Sequence, residues 1–294
     1  MTNIQSQISN IQSQLASVYP QDEADSLAWW IAEELTGLSR TQLQIGCKGT
    51  TIFANMQKIQ EIIDRLLHFE PIQYIFGHTL WNGLDLLVTP ATLIPRPETA
   101  ELVERINLKS QILNLKSQIH VLDVGTGSGC IAIALKKAHP EWQVTGIDIS
   151  PEAIEVAKEN SKRNSVEVDF KVADIFDFNG DFDIVVSNPP YICESEKKDM
   201  RRNVLDYEPA SALFVPDNDP LRFYRRIAEL QTRRSPNSKQ GGAQTPKPLF
   251  LFFEINEAYP AELSAMLDSL GYTDIHLTHD IYGKPRIIEA RMAR

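Results

Sequence analysis

Cysteine is scarce in this chain of 294 residues: Cys47, Cys130 and Cys193 are the only three, far apart and without paired spacing. That rules out a disulfide framework and a cysteine-based zinc site, and it fits a reducing compartment. The histidines (His68, His78, His120, His139, His276 and His279) are scattered without ligand spacing, so no metal is expected. Apolar runs long enough to span a membrane are missing, and Met1 to Gln14 lacks the basic-then-apolar layout of a signal peptide. A cytoplasmic protein off the membrane is the expectation. Basic charge is also short, with 29 Lys and Arg against 39 Asp and Glu and a formal net charge of −10. Proteins that bind nucleic acid draw most of their affinity from neutralising phosphates, so this balance leans against DNA or RNA as the main substrate. What is present is ordinary for a soluble globular protein, 43% hydrophobic and 23% charged, in a length that allows roughly two domains.

The first seventy or so residues read as helices. Ser26 to Leu38 carries Leu27, Trp30, Ile31 and Leu35 at helical spacing, and Met56 to Phe69 repeats the pattern with Ile59, Ile62, Ile63 and Leu66. Ile4-Gln5-Ser6-Gln7 recurs at Ile11-Gln12-Ser13-Gln14 and reads as a polar helical or frayed extension. Trp81 to Val88 reads as a hairpin turning at Asn82-Gly83. A proline-bracketed extended segment, Leu93 to Glu98, follows, and then a helix from Glu98 to Ile106 with an acidic first turn. Leu108 to Ile112 and Leu115 to Ile119 form a second repeat, read as a duplicated surface linker without chemistry.

From Ile119 onward strands and helices alternate. Strands are expected at His120 to Val124, Gln143 to Ile147, Val166 to Val172 and Phe182 to Ser187, with helices at Cys130 to Ala138 and Pro151 to Arg163. This is the βαβ rhythm of an α/β, doubly wound, mostly parallel sheet. Gln231 to Lys247, rich in Ser, Pro, Gly and Gln, interrupts it as a flexible surface insertion. The rhythm resumes with Pro248 to Ile255, a helix near Tyr259 to Leu270, and strands around Ile275 and Ile287.

The turn after the first of these strands is Gly125-Thr126-Gly127-Ser128-Gly129. Its glycines permit positive φ and close approach of backbone N–H groups to a ligand. The spacing is Gly-x-Gly-x-Gly, not the longer dinucleotide fingerprint, and fits a nucleoside carrying an amino acid better than a pyrophosphate. Asp148, ending the second strand, is placed to accept both hydroxyls of a ribose. Asp174, at the third strand end, is placed to meet an adenine edge, with Ile175 packing on the base.

Asn188-Pro189-Pro190-Tyr191 ends the fourth strand as a rigid loop, because proline has no N–H and fixes its own φ. Such a loop can receive a planar NH2 group, with Asn188 and the Pro189 carbonyl as acceptors and Tyr191 as a stacking face. Whether that group belongs to a base or to an amide is open from the tetrapeptide alone. Arg96 and Glu98 either close over the cofactor or form a salt bridge, and Tyr207 and Glu208 either support the loop or pack. The pairs Arg201-Arg202, Arg225-Arg226 and Arg233-Arg234 read as solvated faces, with contact to a partner as the alternative.

These residues resemble the S-adenosylmethionine-dependent methyltransferases, in the version that methylates planar nitrogens. Together with Pro71 to Gly77, Leu93 to Glu98, Tyr207-Glu208-Pro209 and Phe253-Glu254-Ile255, the chain from about residue 20 to 294 is similar to the peptide-chain release factor N5-glutamine methyltransferases. The resemblance implies a class I methyltransferase fold with a small helical N-terminal domain. It implies a release-factor-binding domain at 1–79, a hairpin linker at 80–97 and a methyltransferase domain at 98–294. S-adenosylmethionine would be held by Gly125, Thr126, Gly127, Ser128, Gly129, Asp148, Asp174, Ile175 and Asn188. The substrate glutamine, in a Gly-Gly-Gln motif, would meet Asn188, Pro189, Pro190 and Tyr191, of which Asn188, Pro189 and Tyr191 are the expected catalytic group. The chain departs from the family where Ala100 follows Thr99 in place of a glutamate, and where Ile175, with Phe176 one place on, stands for an aromatic. A monomer is expected. The alternatives are a nucleic-acid amino-group methyltransferase acting on adenine N6 or guanine N2, and a non-catalytic translation-factor binding module.

Overall fold

The computed structural model describes residues 4–45, 56–113, 119–232, 249–280 and 283–292. In chain order the elements begin with α1 (Ile4–Leu15), α2 (Gln21–Thr36), α3 (Arg40–Ile45), α4 (Met56–Leu67), α5 (Ile72–Phe76), β1 (His78–Trp81) and β2 (Leu84–Leu87). Then come α6 (Pro97–Ile112), β3 (His120–Val124), α7 (Cys130–Ala138), β4 (Gln143–Asp148), α8 (Pro151–Arg163), β5 (Asp169–Val172) and β6 (Ile184–Ser187). The rest are β7 (Ile192–Cys193), α9 (Arg202–Leu205), β8 (Phe214–Val215), α10 (Arg222–Thr232), β9 (Leu249–Glu254), α11 (Pro260–Ser269), β10 (Thr273–His279) and β11 (Pro285–Met292). The chain divides into two compact units, residues 1–76 with 202–207, and residues 77–201 with 208–294. Among the described residues no helix is long and apolar enough to cross a membrane.

The first unit is helical. In α1 the Gln and Ser residues frame an apolar stripe, and Ile8, Ile11 and Leu15 are buried, so the repeat expected to be polar or frayed belongs to the core. Helix α2 ends where Gly37 takes the left-handed conformation (φ 68°), donating its N–H to the Glu33 carbonyl. Its buried face is Ala24, Ala28, Trp29, Ile31 and Ala32, whereas Leu27, Trp30 and Leu35 are only partly buried. Small alanines on this face let the backbones approach, and the seam centres on them with Trp29 and Ile31 and not on Leu27, Trp30 and Leu35. Helix α4 buries Ile59, Ile62, Ile63 and Leu66, as the spacing requires. Residues 202–207 complete this unit: Tyr207 donates to the His68 carbonyl at 3.0 Å, and Arg202 lies 4.7 Å over the Phe69 ring.

In the second unit β1 and β2 pair antiparallel across Asn82 (φ 47°) and Gly83 (φ 72°), the doubly left-handed turn that matches strand twist. The seven-stranded sheet runs in the order β10-β11-β9-β6-β3-β4-β5. Its strands from β9 to β5 are parallel, while β11 is antiparallel to both β9 and β10. Strand β6 reads Ile-Val-Val-Ser and is buried throughout, as a parallel strand covered on both faces must be. One core packs Leu102, Val103, Ile106, Ile131 and Ile154 against the sheet, the other Tyr224, Ile227, Leu263 and Leu267. Strand β5 begins at Asp169, later than expected; Val166 and Val168 pack against the first core without entering the sheet. Helix α6 runs through Leu108–Ile112, so the first copy of the second repeat is helix and not linker. Its Ser110 hydroxyl turns back to the Asn107 carbonyl (2.7 Å). Cys47, the second copy at 115–118 and the insertion from 233 on lie outside the described residues.

Candidate active site

The carboxyl ends of β3, β4, β5 and β6 face one cavity of about 400 Å³, the place where an open parallel sheet collects its ligands. At the end of β3, Gly125, Gly127 and Gly129 all take positive φ, at 68°, 53° and 81°. Gly125 and Gly127 line the cavity, and a Cβ added at either would meet no protein atom within 4 Å. Side chains omitted there leave a cradle for a ligand to lie against the backbone, in a volume suited to a nucleoside-sized molecule. Gly129 does not line the cavity. A Cβ there would sit 3.0 Å from Phe170 and 3.1 Å from Ala157, so this glycine allows α7 to start close against the sheet. Thr126 and Ser128, between the glycines, line the wall.

Asp148 lies at the tip of β4, on the cavity. Its Oδ2 accepts the Gly127 N–H (2.9 Å) and its Oδ1 the Ser150 N–H (3.0 Å). Burial pushes its carboxyl above the usual range, and the backbone N–H groups pull it back. Each oxygen keeps a second lone pair for a diol. Beyond β5, Asp174, Ile175 and Phe176 all line the cavity, and Asp174 Oδ1 accepts the Phe176 N–H at 2.9 Å. This turn is braced by Arg226, only 7% exposed, which donates to the carbonyls of Phe178 (2.6 Å) and Phe176 (3.3 Å). The Arg225-Arg226 pair read as a solvated face thus splits: Arg225 meets Asp219 on the surface at 3.1 Å, and Arg226 is an internal brace.

At β6 the Ser187 hydroxyl donates to the Val124 carbonyl (2.7 Å), tying the start of the loop to the strand that carries the glycines. Asn188, Pro189 and Pro190 line the cavity, whereas Tyr191 does not. The Tyr191 ring packs against the second core and its hydroxyl donates to Glu254 Oε1 at 3.0 Å. Asn188 Nδ2 donates to Thr99 Oγ1 (3.2 Å), and Thr99 donates to Glu254 Oε2 (2.7 Å). Glu254 is 1% exposed. Burial raises its carboxyl, against the pull of the hydroxyls of Thr99 and Tyr191. Asn256 Nδ2 donates to the Tyr191 carbonyl (3.0 Å) and closes the far end of the loop.

The proline-bracketed segment joins the wall through Leu93, Pro95 and Arg96. Arg96 lines the cavity and forms an ion pair, whose partner is Glu208 (2.5 Å) and not Glu98. Glu208 also accepts the Ile94 N–H at 3.1 Å and is buried, so its work is to hold this segment. Asn160, fully buried in α8, bonds the backbone of Leu87 in both directions and the Ser128 carbonyl, joining the hairpin to the glycine turn. Asp123 in β3 is fully buried. Its Oδ2 takes the Thr126 hydroxyl (2.6 Å) and the Ala132 N–H (3.2 Å), and its Oδ1 has no hydrogen-bond partner among the described residues. Burial pushes its carboxyl up to about 7.

The motifs do not show Asn160, the bracing role of Arg226, or the link from Asn188 through Thr99 to Glu254. One signal was available: Glu254 is an acid ending the apolar run from Leu249, and a buried acid needs partners.

The site and its frame have relatives. Residues 8–77 match the family model described as "PrmC N-terminal domain", and residues 115–219 the one described as "Methyltransferase domain". The release factor glutamine methyltransferase of Bacteroides thetaiotaomicron is 41% identical over 284 residues, covering 95% of this chain and 97% of that one. The enzyme of the same description from Flavobacterium psychrophilum is 42% identical over 282 residues, covering 94% of each. Among solved structures, the hMettl16 catalytic domain in complex with an RNA hairpin superposes with a TM-score of 0.50 at 16% identity, over 72% of this chain and 76% of that one. That likeness concerns the fold alone. With identity above 40% across nearly the whole length of these relatives, the chain belongs to the release factor glutamine methyltransferase family.

Proposed function

We propose that this chain transfers a methyl group from S-adenosylmethionine to the side-chain amide nitrogen (N5) of the glutamine in the Gly-Gly-Gln motif of peptide-chain release factors. One observation carries the chemistry: Asn188 and Pro189 line the same cavity as the glycine turn, Asp148 and Asp174. The relatives' descriptions supply the acceptor. The net charge of −10 supports a protein substrate over a nucleic acid. On this reading residues 1–79 help hold the release factor, 80–97 form the hairpin linker and 98–294 carry the transfer, by a monomer working in the cytoplasm.

Gly125, Gly127 and Ser128 would lie along the cofactor, Asp148 would accept its ribose hydroxyls, and Asp174 with Ile175 would take the adenine. S-adenosylmethionine, when bound, supplies an already activated sulfonium methyl, so the protein's task is alignment. The acceptor nitrogen is a weak nucleophile because its lone pair is delocalised into the carbonyl. Asn188 Oδ1 and the Pro189 carbonyl would accept the two N–H bonds of the NH2 group and fix the nitrogen in front of the methyl. Such positioning can supply roughly 7–11 kcal/mol at best. The surplus proton on the methylated nitrogen is strongly acidic and leaves without a dedicated base. Tyr191, engaged with Glu254, would hold the loop and not stack on the substrate.

The direct test is mass spectrometry of a purified release factor after incubation with this enzyme and S-adenosylmethionine. A single added methyl on the Gly-Gly-Gln glutamine is expected; no methyl, or one elsewhere, overturns the reading. Asp148→Ala should weaken S-adenosylmethionine binding roughly 30-fold by calorimetry, the loss of about 2 kcal/mol expected for hydrogen bonds to a charged acceptor. Affinity for the release factor should stay unchanged in that variant.

A further inference from the structure

The amide of Asn188 can be turned in either of two ways, and only one suits the reaction. With Oδ1 toward the cavity it accepts an N–H and welcomes an amide NH2 group; with Nδ2 outward it donates and favours a carboxylate. The structure contains a device that selects between them. The Glu254 carboxylate is acceptor-only when ionised, and each of its oxygens takes one hydroxyl, from Thr99 at 2.7 Å and from Tyr191 at 3.0 Å. Thr99 has a single hydroxyl proton, and it is committed to Glu254. Its oxygen can therefore only accept from Asn188, which must present Nδ2 to it, at 3.2 Å.

We propose that Thr99 and Glu254 are positioning residues: together they orient the Asn188 amide with Oδ1 toward the substrate, and so set the preference for glutamine over glutamate at the acceptor position. This rests on the function proposed above. All three residues are buried or partly buried, so water does not readily substitute for a missing partner. Thr99 caps no helix end through its side chain and forms no other hydrogen bond from its hydroxyl among the described residues, so this relay is the use the structure makes of it. Glu254, at the end of β9, is built into the sheet, which makes it a rigid reference for the orientation.

The test is Thr99→Val, which keeps the shape and deletes the acceptor, compared with Thr99→Ser, which restores it. Two ligands are used: a release factor as substrate, and the same factor with glutamate in place of the Gly-Gly-Gln glutamine as a competitive inhibitor. Thr99→Val should lower kcat about 10- to 100-fold, the scale of lost outer partners at other sites, with the S-adenosylmethionine dissociation constant within about threefold. Because the freed amide can then turn Nδ2 outward, the glutamate factor should inhibit Thr99→Val about 10-fold more tightly than wild type, the worth of roughly one hydrogen bond. Thr99→Ser should recover most of both losses. In an Asn188→Ala background, Thr99→Val should lower kcat no further, because its effect passes through Asn188.

Unchanged kcat in Thr99→Val, an unchanged inhibition constant for the glutamate factor, or full additivity with Asn188→Ala overturns the inference. If Asn188→Ala itself keeps normal turnover, it is the proposed function of the loop that fails. If Asn188→Ala loses turnover while Thr99→Val keeps wild-type kcat, only the orienting role fails.

Discussion

Asn188→Ala should lower turnover on the order of 10³-fold, the upper range for deleting one preorganised hydrogen-bonding group at a reacting centre, while S-adenosylmethionine binds within about twofold of wild type. The two effects separate because the groups are separate. On the proposed function the cofactor would be held by the glycine turn, Asp148 and the Asp174 turn, none of which hydrogen-bonds the Asn188 side chain. The fold should tolerate the change: Thr99 loses one incoming N–H but keeps its own bond to Glu254, and Ser187 still anchors the loop to Val124. Single-turnover methylation of a release factor measures the first effect and calorimetry the second. Normal methylation by this variant would sink the proposed mechanism.

Asp123→Asn should change the pH dependence of stability. Burial raises the Asp123 carboxyl to about 7 in the folded chain, against about 4 in an unfolded one. Below pH 4 the group is protonated in both states and is neutral to stability. As pH rises from about 4 to about 7 the unfolded chain releases the proton and the folded chain retains it, so stability is lost through that window and is level above it. The full loss is on the order of 4 kcal/mol. The asparagine variant cannot titrate there. Its amide leaves an N–H where Oδ1 has no partner among the described residues, a cost that does not vary with pH. Urea denaturation of both proteins at pH 5, 6, 7 and 8 should show wild type losing ground to the variant up to about pH 7 and running parallel beyond it. Parallel curves throughout would mean that the carboxylate is solvated or partnered in solution.

Much of the frame is readable along the chain because its causes are local. Glycines at 125, 127 and 129 can only be a turn of positive φ, Asn82-Gly83 can only close a tight hairpin, and β3, α7 and α8 begin and end where the sequence places them. Where the local reading fails, packing has overridden it. The Ile-Gln-Ser-Gln repeat looks polar, yet Ile11 is buried and Ile4 packs against the same core. Helix α6 absorbs Leu108–Ile112, a stretch whose composition suggests a linker, because nothing in it stops a helix already under way. Likewise Arg226 stands in an arginine pair that reads as surface, and only the carbonyls of a turn 48 to 50 residues earlier make it internal.

The site divides along the same line. The residues that line the cavity come from segments at strand ends, and a strand end with its turn residues is legible from a handful of neighbours. The groups that orient them are not. Asn188 meets Thr99 across 89 residues, and Thr99 meets Glu254 across 155. Those encounters exist because β6 lies between β3 and β9 in the sheet and α6 packs beside them. Backbone preference and side-chain period are properties of a few consecutive residues, so the chain alone specifies turns, strands and the Asn-Pro-Pro-Tyr loop. Which buried hydroxyl hands its proton to which carboxylate depends on strand order and register, and these emerge when distant segments pack together.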